Sequence, residues 1–147
     1  MESLLKITDA ASLALHAMVL LAATPDEVVS TSDLAVSLRA SEAHLSKVLQ
    51  RLNKAGLVDS VRGPRGGFKL AKDPRKITLL DIYEAMEGPL ITSTCLLGTP
   101  MCVGPTCVLG HLLTNVNAEV KHYLEKTRLN KMVGILCISK RSEGFDA

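Results

Sequence analysis

Aromatic residues are scarce in this chain of 147 residues, which contains two Tyr, two Phe and no Trp. The hydrophobic residues, 47% of the chain, are therefore mostly aliphatic, and an aliphatic core favours packed helices over a β-sandwich. Together with a charged fraction of 22%, this hydrophobic content excludes an intrinsically disordered chain. The length is sufficient for one small domain, with or without an arm. We therefore predict a mainly α-helical fold.

No apolar run is long enough to cross a bilayer. The longest, residues 10–24, is interrupted by His16 and is shorter than the roughly 20 apolar residues that a spanning helix needs. It also lacks the basic leader of a signal peptide, because Glu2 and Asp9 precede it and Lys6 is the one basic residue there. These features predict a cytoplasmic protein with no membrane partner, in which cysteines are not expected to form structural disulfides.

Basic residues are concentrated in one segment of the chain. Residues 39–76 contain ten Lys or Arg and three Asp or Glu, a net charge of +7, whereas the remainder has seven basic and twelve acidic residues, a net charge of −5. Such a basic block within an acidic remainder is typical of a surface that binds a polyanion. The segment is therefore the candidate nucleic-acid interface.

Two short helices at the start of this segment have the pattern of a helix-turn-helix. Residues 30–33 and Ser41 supply N-caps, and the second helix is expected to run to about Ala55 and to end at Gly56. Its apolar residues recur at i, i+3, i+4 and i+7, so one face is buried and the basic face is exposed. The candidate DNA contacts of this helix are Ser41, His44, Lys47, Gln50, Arg51 and Lys54.

A β-hairpin is predicted directly after the helix-turn-helix. Residues 57–61 and 68–70 alternate as strands do, and the Gly-Pro-Arg-Gly-Gly sequence at 63–67 between them favours a turn. A hairpin in this place is the wing of a winged helix. Arg62 and Arg65 at its tip are candidate contacts to the DNA backbone or minor groove.

The C-terminal part is expected to hold two further helices, over residues 77–87 and 108–136. The second has an apolar stripe that one copy of a small domain cannot cover, which predicts a symmetric dimer. The predicted segments are a winged helix-turn-helix domain (1–76), a linker helix with the cysteine loop (77–107), a dimerisation helix (108–137) and a flexible tail (138–147).

Three cysteines in one short loop are the candidate chemistry of this protein. Cys95, Cys102 and Cys107 are separated by Gly and Pro residues that let a short loop bring thiols together. Thiolates bind zinc and iron–sulfur clusters, and His111 could complete a Cys3His zinc site, although the paired C-x2-C motifs of zinc sites are absent. A disulfide redox switch is the third interpretation. Since no P-loop, GxGxxG or GxSxG motif accompanies the cysteines, we expect no enzyme.

The order of these motifs resembles the IscR/NsrR/RirA type of bacterial regulators, the Rrf2 family. The resemblance covers about residues 4–137 and rests on four sequences in order. They are Ala-Leu-His-Ala-Met at 14–18, Arg-Leu-Asn-Lys-Ala-Gly-Leu-Val at 51–58, Val-Arg-Gly-Pro-Arg-Gly-Gly-Phe-Lys-Leu at 61–70 and the cysteine triplet. The resemblance implies a homodimeric winged-helix transcriptional regulator. Its operator binding would be controlled by a 2Fe–2S or 4Fe–4S cluster that senses redox state, nitric oxide or iron and cluster status.

The resemblance also implies cluster ligands, with some departures. Cys95, Cys102 and Cys107 take the place of the three cysteine ligands, with six and four residues between them. The family's histidine ligand would fall near Gly110, so the fourth ligand is open. The candidates are His111 and, from the first helix of the partner subunit, Asp9 or Ser12.

The resemblance also bears on which DNA the protein binds, and an alternative function without a cluster stays open. Ser46 stands where IscR-type proteins have a base-discriminating glutamate, so this DNA contact and the operator are expected to differ. The alternative function is a zinc-stabilised or thiol-redox winged-helix DNA-binding protein without a cluster.

Overall fold

The computed structural model describes residues 7–91, 95–97, 99, 101–102 and 107–136. These residues form five α-helices and one antiparallel hairpin, which confirms the mainly α-helical fold with a small β-hairpin. The elements are α1 (Asp9–Ala23), α2 (Thr31–Leu38), α3 (Glu42–Lys54), β1 (Val58–Val61), β2 (Gly67–Leu70), α4 (Leu79–Glu87) and α5 (Leu112–Lys126). Short 3₁₀ helices at Pro74–Lys76 and Leu129–Met132 precede α4 and follow α5. No helix in this part of the chain is long and apolar enough to span a bilayer.

Side-chain caps fix where the first helices begin. The Thr8 hydroxyl accepts a hydrogen bond from the backbone N–H of Ala11, and Ser30 caps α2 in the same way. Ser41 caps α3 by accepting from the His44 N–H at 3.3 Å. Each cap supplies a partner for a helix N–H group that has no carbonyl to bond to. The predicted helix-turn-helix boundaries are confirmed to within one or two residues.

The core is aliphatic and lies between α1, α3 and α4. Met18 and Leu21 of α1 are completely buried, as are Leu45 of α3 and Ile82 of α4. Phe68 is the one aromatic side chain among the buried residues of the described chain. Burial of such side chains supplies the main stabilisation of the domain.

The hairpin is anchored to the helical part by a third extended segment. β1 and β2 pair from Val58 opposite Leu70 to Val61 opposite Gly67. On its other edge, β2 pairs with the segment before α2, because Val29 and Phe68 exchange two backbone hydrogen bonds of 2.9 Å. This third segment was not predicted, since a single residue leaves no alternating pattern. It fixes the base of the wing relative to α2.

The predicted long helix over residues 108–136 is wrong at both ends. A turn occupies residues 108–111, with Gly110 at a positive φ of 57°, and α5 begins at Leu112. After Lys126 the chain becomes extended, because it pairs with the residues before α4. The Leu79 N–H donates to the Thr127 carbonyl (3.0 Å), and the Leu129 N–H donates to the Ile77 carbonyl (2.8 Å). Burial of the Leu129 side chain favours this path over a longer helix.

The same pairing keeps residues 77 and 78 outside α4, which was predicted to begin at residue 77. The helix begins at Leu79, with Thr78 as its N-cap in a capping box with Asp81. Cys137 and the predicted tail, residues 138–147, lie outside the described residues.

Candidate nucleic-acid interface and cysteine loop

Helix α3 separates an apolar face from a basic one. Leu45, Val48, Leu49 and Leu52 are buried against the core. The exposed residues of the opposite face are His44, Lys47, Gln50, Arg51 and Lys54, and Ser46 is half-buried beside them. The helix therefore presents nearly all of its predicted DNA contacts on one accessible surface.

Arg51 differs from the other basic residues of this face. Its guanidinium Nη2 donates a hydrogen bond of 2.6 Å to the backbone carbonyl of Met86, at the end of α4. No sequence pattern signals this bond, because its partner is a backbone atom 35 residues away. Arg51 thus joins the candidate interface to a second element of the fold.

The wing presents Arg62 and Arg65 to solvent on a tightly built turn. The Gly66 N–H donates to the Gly63 carbonyl at 2.9 Å. A Cβ atom on Gly67 would lie 2.1 Å from the Val29 carbonyl oxygen, so glycine is required there for the strands to approach. The wing arginines therefore extend from a well-defined base.

The three loop cysteines differ in their exposure to solvent. Cys102 is exposed, and Cys95 and Cys107 are half-buried; none forms a disulfide. His111 lies at the N-cap position of α5, where its side chain is exposed and makes no capping hydrogen bond. Within the described parts of the chain, no three His, Cys, Asp or Glu side chains are grouped to hold a metal ion.

The chemistry of these donors fits an iron–sulfur cluster or zinc, because both prefer thiolates. The thiols lie outside the buried core and in a loop between α4 and α5. A cluster or a zinc ion bound to all three cysteines would require their sulfur atoms to lie together, which the described residues do not show.

The two candidate ligands on the first helix lie apart from this loop in the sequence and line a common pocket. Asp9 is exposed and Ser12 is half-buried in the first turn of α1. They share the pocket with His16, Ser41 and His44, so it joins the start of α1 to the start of α3.

A histidine on a helix as apolar as α1 is expected to be packed or hydrogen-bonded in the core, and His16 meets only part of this expectation. The side chain is exposed, although it has the expected hydrogen-bond partner: its Nδ1 lies 2.6 Å from the Ser12 carbonyl oxygen. The expectation of burial was wrong because His16 faces outward on α1, whose buried residues are four Ala together with Met18, Val19 and Leu21.

An apolar groove runs between α1, α4 and α5. It has a volume of about 520 Å³ and is lined by residues that include Leu15, Tyr83 and Val120. On α5 the side chains of Leu112, Val116 and Tyr123 are exposed. Helix α5 buries one side chain, Leu124, within the described chain, and these three exposed side chains of its predicted stripe lack a covering partner there.

The sequence of this chain matches a known protein family. Residues 7–134 match the sequence profile of the Rrf2 family, described as iron-dependent transcriptional regulators. The chain belongs to the Rrf2 family. It is 30% identical over 132 residues to the transcriptional regulator NsrR of Bacillus subtilis, a match that spans 88% of this chain and 90% of NsrR. The predicted family resemblance is thereby confirmed, and the Rrf2 relatives are transcriptional regulators rather than enzymes.

Two solved structures of Rrf2-type regulators are similar to this one. CymR, the global cysteine regulator of B. subtilis, has a TM-score of 0.77 and 29% identity, covering 90% of this chain and 99% of CymR. IscR of T. potens has a TM-score of 0.69 and 30% identity, covering 87% of this chain and 85% of IscR. The winged-helix fold is therefore shared with both. This Rrf2 protein is a transcriptional regulator, and regulators of its family bind DNA.

Proposed function

We propose that this Rrf2 protein is a cytoplasmic homodimer whose binding to a DNA operator is controlled by an iron–sulfur cluster on the cysteine loop. The observation that carries the proposal is the set of three thiols outside the buried core, Cys95, Cys102 and Cys107, in the loop between α4 and α5. The description of the family as iron-dependent supports it. The resemblance to IscR- and NsrR-type regulators supports it as well.

In the proposed complex, the α3 helices of the two subunits enter successive major grooves, roughly 34 Å apart. Lys47, Gln50 and Lys54 contact phosphates or base edges, and Arg62 and Arg65 of each wing contact the backbone or minor groove. Ser41, His44 and Ser46 lie close enough on α3 to contribute contacts of their own. The net charge of +7 on residues 39–76 supports this orientation, because α3 and the wing lie in that basic segment.

We expect the affinity to depend strongly on salt. If the dimer contacts six to ten phosphates, affinity falls by about 10³–10⁵ between 50 and 200 mM salt, because bound cations are released from DNA. Fluorescence anisotropy with a duplex selected by the protein from a random library measures this dependence. A complex that is insensitive to salt would contradict the proposed interface.

The dimer forms, in this proposal, through the apolar face of α5. Exposed Leu112, Val116 and Tyr123 lie on this helix, and a second copy supplies matching apolar surface by symmetry. The resemblance to NsrR-type regulators implies that such a dimer places the first helix of one subunit near the partner's cysteine loop.

The proposed cluster is held by Cys95, Cys102 and Cys107, with the fourth ligand from His111, Asp9 or Ser12. An incompletely thiolate-ligated cluster supplies reactivity toward oxygen, nitric oxide or loss of iron. Gain or loss of the cluster would change the conformation of the loop that holds it. Only a difference in DNA affinity between these two forms makes the protein a switch.

Anaerobic reconstitution with ferrous iron and sulfide tests the proposal. We expect a brown protein with bound iron and sulfide, loss of the cluster in Cys95→Ser, Cys102→Ser and Cys107→Ser, and a changed affinity for the selected duplex. Replacement of His111, Asp9 or Ser12 by Ala identifies the fourth ligand by a shifted visible spectrum. A colourless protein, or equal DNA affinities of loaded and apo forms, would overturn cluster control.

The similarity to CymR, a cysteine regulator, favours a second candidate function. In it, the same thiols form a redox-sensitive disulfide, or bind zinc together with His111, and no cluster is present. Metal analysis of the purified protein and mass spectrometry after oxidation distinguish these alternatives. Stoichiometric zinc, or a disulfide that alters DNA affinity, would support them.

A further inference from the structure

The C-terminal end of α4 has no donor of its own for the carbonyl of Met86. The helix cannot continue, because Gly88 has a positive φ of 78° and Pro89 has no backbone N–H. The next backbone N–H, that of Leu90, donates to the Glu84 carboxylate at 3.0 Å. The Met86 carbonyl is therefore left without a partner from its own helix.

Arg51 of α3 supplies the missing donor. Its Nη2 donates to the Met86 carbonyl at 2.6 Å, and Met86 is a buried residue. A buried carbonyl without a partner costs free energy comparable to a lost hydrogen bond, so the bond from Arg51 satisfies a group that would otherwise destabilise the fold. Because the donor is charged, this bond is also stronger than one between neutral groups.

The end of α4 attracts the guanidinium by charge as well. The last turn of the helix carries Glu84 and Glu87 and no basic residue. The helix dipole adds partial negative charge at the same end. Such an electronegative surface stabilises a nearby cation and repels a DNA phosphate. Arg51 is thus held by the protein itself, unlike Lys47 and Lys54, which are proposed to contact DNA.

The bond fixes α3 in a way that its apolar contacts do not. The helix packs on α1 and α4, and its buried residues are Leu and Val. Apolar packing is non-directional and by itself tolerates small rotations of a helix. The directional bond from Arg51 lies in the last turn of α3, between Lys47 and Lys54 in the sequence. It therefore sets the position from which the neighbouring side chains reach DNA.

We propose that Arg51 is a positioning residue of the DNA-binding surface, which holds α3 on the end of α4 and does not itself contact a phosphate. The inference rests on the proposed function, because it assumes that α3 enters the major groove, but it does not require a cluster. This role differs from the DNA contact that the sequence predicts for Arg51.

Two neighbouring substitutions distinguish positioning from phosphate contact. Arg51→Met and Lys54→Met each remove one positive charge and keep an unbranched side chain. Affinities of the full-length variants are measured over a range of salt concentrations, for the selected duplex and for a scrambled duplex of the same composition. The protein is used in the form, loaded or apo, that binds the selected duplex more tightly. Circular dichroism and thermal unfolding confirm that each variant folds.

For Lys54→Met we expect the behaviour of a lost phosphate contact. The slope of log affinity against log salt falls by about 0.9, and binding to both duplexes weakens to a similar extent. For Arg51→Met we expect the wild-type slope and wild-type binding to the scrambled duplex. Its affinity for the selected duplex is expected to be about tenfold lower, an effect within the range for one mismatched base pair. Arg51→Lys, which retains a charged donor, restores part of this affinity.

A second measurement uses the wild type and does not depend on the folding of Arg51→Met. In NMR spectra of protein labelled with ¹⁵N in its arginine side chains, we expect the Arg51 guanidinium signals to keep their positions when the selected duplex is added. The signals of Arg62 and Arg65, which are proposed to contact DNA, are expected to shift. A shift of the Arg51 signals as large as those of the wing arginines would overturn the proposal.

The outcomes separate this inference from the proposed function. A slope reduced in Arg51→Met, with or without weaker discrimination between the two duplexes, makes Arg51 a phosphate contact and overturns the positioning role. Wild-type affinity of Arg51→Met for both duplexes overturns it too. If the wild-type affinity is itself independent of salt, the proposed DNA interface fails and the positioning role fails with it. Equal affinities of loaded and apo protein would overturn cluster control but not this inference.

Discussion

At Gly67 a single hydrogen atom in place of a side chain lets the wing pack against the segment before α2. We predict that Gly67→Ala lowers the free energy of unfolding by about 1–3 kcal/mol, because the new Cβ meets backbone atoms that cannot rotate away. Urea unfolding measures the change. Gly56→Ala is the control for backbone strain alone. Gly56 has a positive φ of 76°, at which a side chain is strained, but open space around it. An effect of Gly67→Ala no larger than that of Gly56→Ala would contradict the packing argument.

The ion pair between Asp73 and Arg75 predicts a lowered pKa for the Asp73 carboxyl. The side-chain hydrogen bond from Arg75 lowers the pKa of the Asp73 carboxyl from 3.8 to about 2. The folded form thus holds this proton less tightly than the unfolded chain does. The pair's contribution to stability is therefore fully present above pH 3.8 and is lost as the pH falls toward 2. In an NMR titration, Arg75→Gln should raise the Asp73 midpoint toward 3.8; an unchanged midpoint would refute the assignment.

At the scale of elements, the helices with local start signals were predictable, whereas α5 was predicted as a helix but with both ends wrong. Ser30 and Ser41 mark α2 and α3 in the sequence, and Gly56 and Gly88 mark helix ends. The end of α5 depends instead on Thr127 pairing with Leu79, a contact between residues 48 positions apart. A helical stripe cannot reveal such tertiary pairing, so the predicted helix ran past its true end.

The capping box at the start of α4 predicts a stability change. Thr78→Val removes the hydroxyl that accepts from the Asp81 N–H at 3.1 Å and should cost about 1 kcal/mol. Urea unfolding at fixed protein concentration measures it. Thr114→Val, on the exposed surface of α5, is the matched control and should change stability by less than about 0.5 kcal/mol. Equal effects of the two substitutions would exclude a capping role.

At the scale of the whole molecule, the exposed face of α5 predicts an oligomeric state. Val116→Glu should weaken dimerisation by at least about tenfold, because a symmetric interface contains the charge twice and each buried charge lacks a partner. Sedimentation velocity at low micromolar concentration measures the monomer fraction. Thr114→Glu introduces the same charge on the opposite side of α5 and should leave the dimer intact. A dimeric Val116→Glu protein would place the interface elsewhere.

The residues of the candidate site were predictable in kind but not in their connections. Charge clustering and apolar spacing identified the face of α3, because exposed basic residues and buried Leu alternate along one helix. The thiol loop was evident from composition. The bond from Arg51 to Met86 was hidden, since a backbone carbonyl is available at every position and gives no sequence signal. The assignment of individual DNA contacts and cluster ligands stays a prediction.

The backbone bridge between Thr78 and Arg128 has a consequence for how the protein can be engineered. At this bridge the chain before α4 and the chain after α5 lie side by side. The Leu79 N–H bonds to the Thr127 carbonyl, and the Leu129 N–H bonds to the Ile77 carbonyl. Because α4 is part of the core with α1 and α3, the segment that can vary begins after Glu87 and ends before Thr127. Changes in its length or composition leave the two ends of the surrounding fold joined at this bridge.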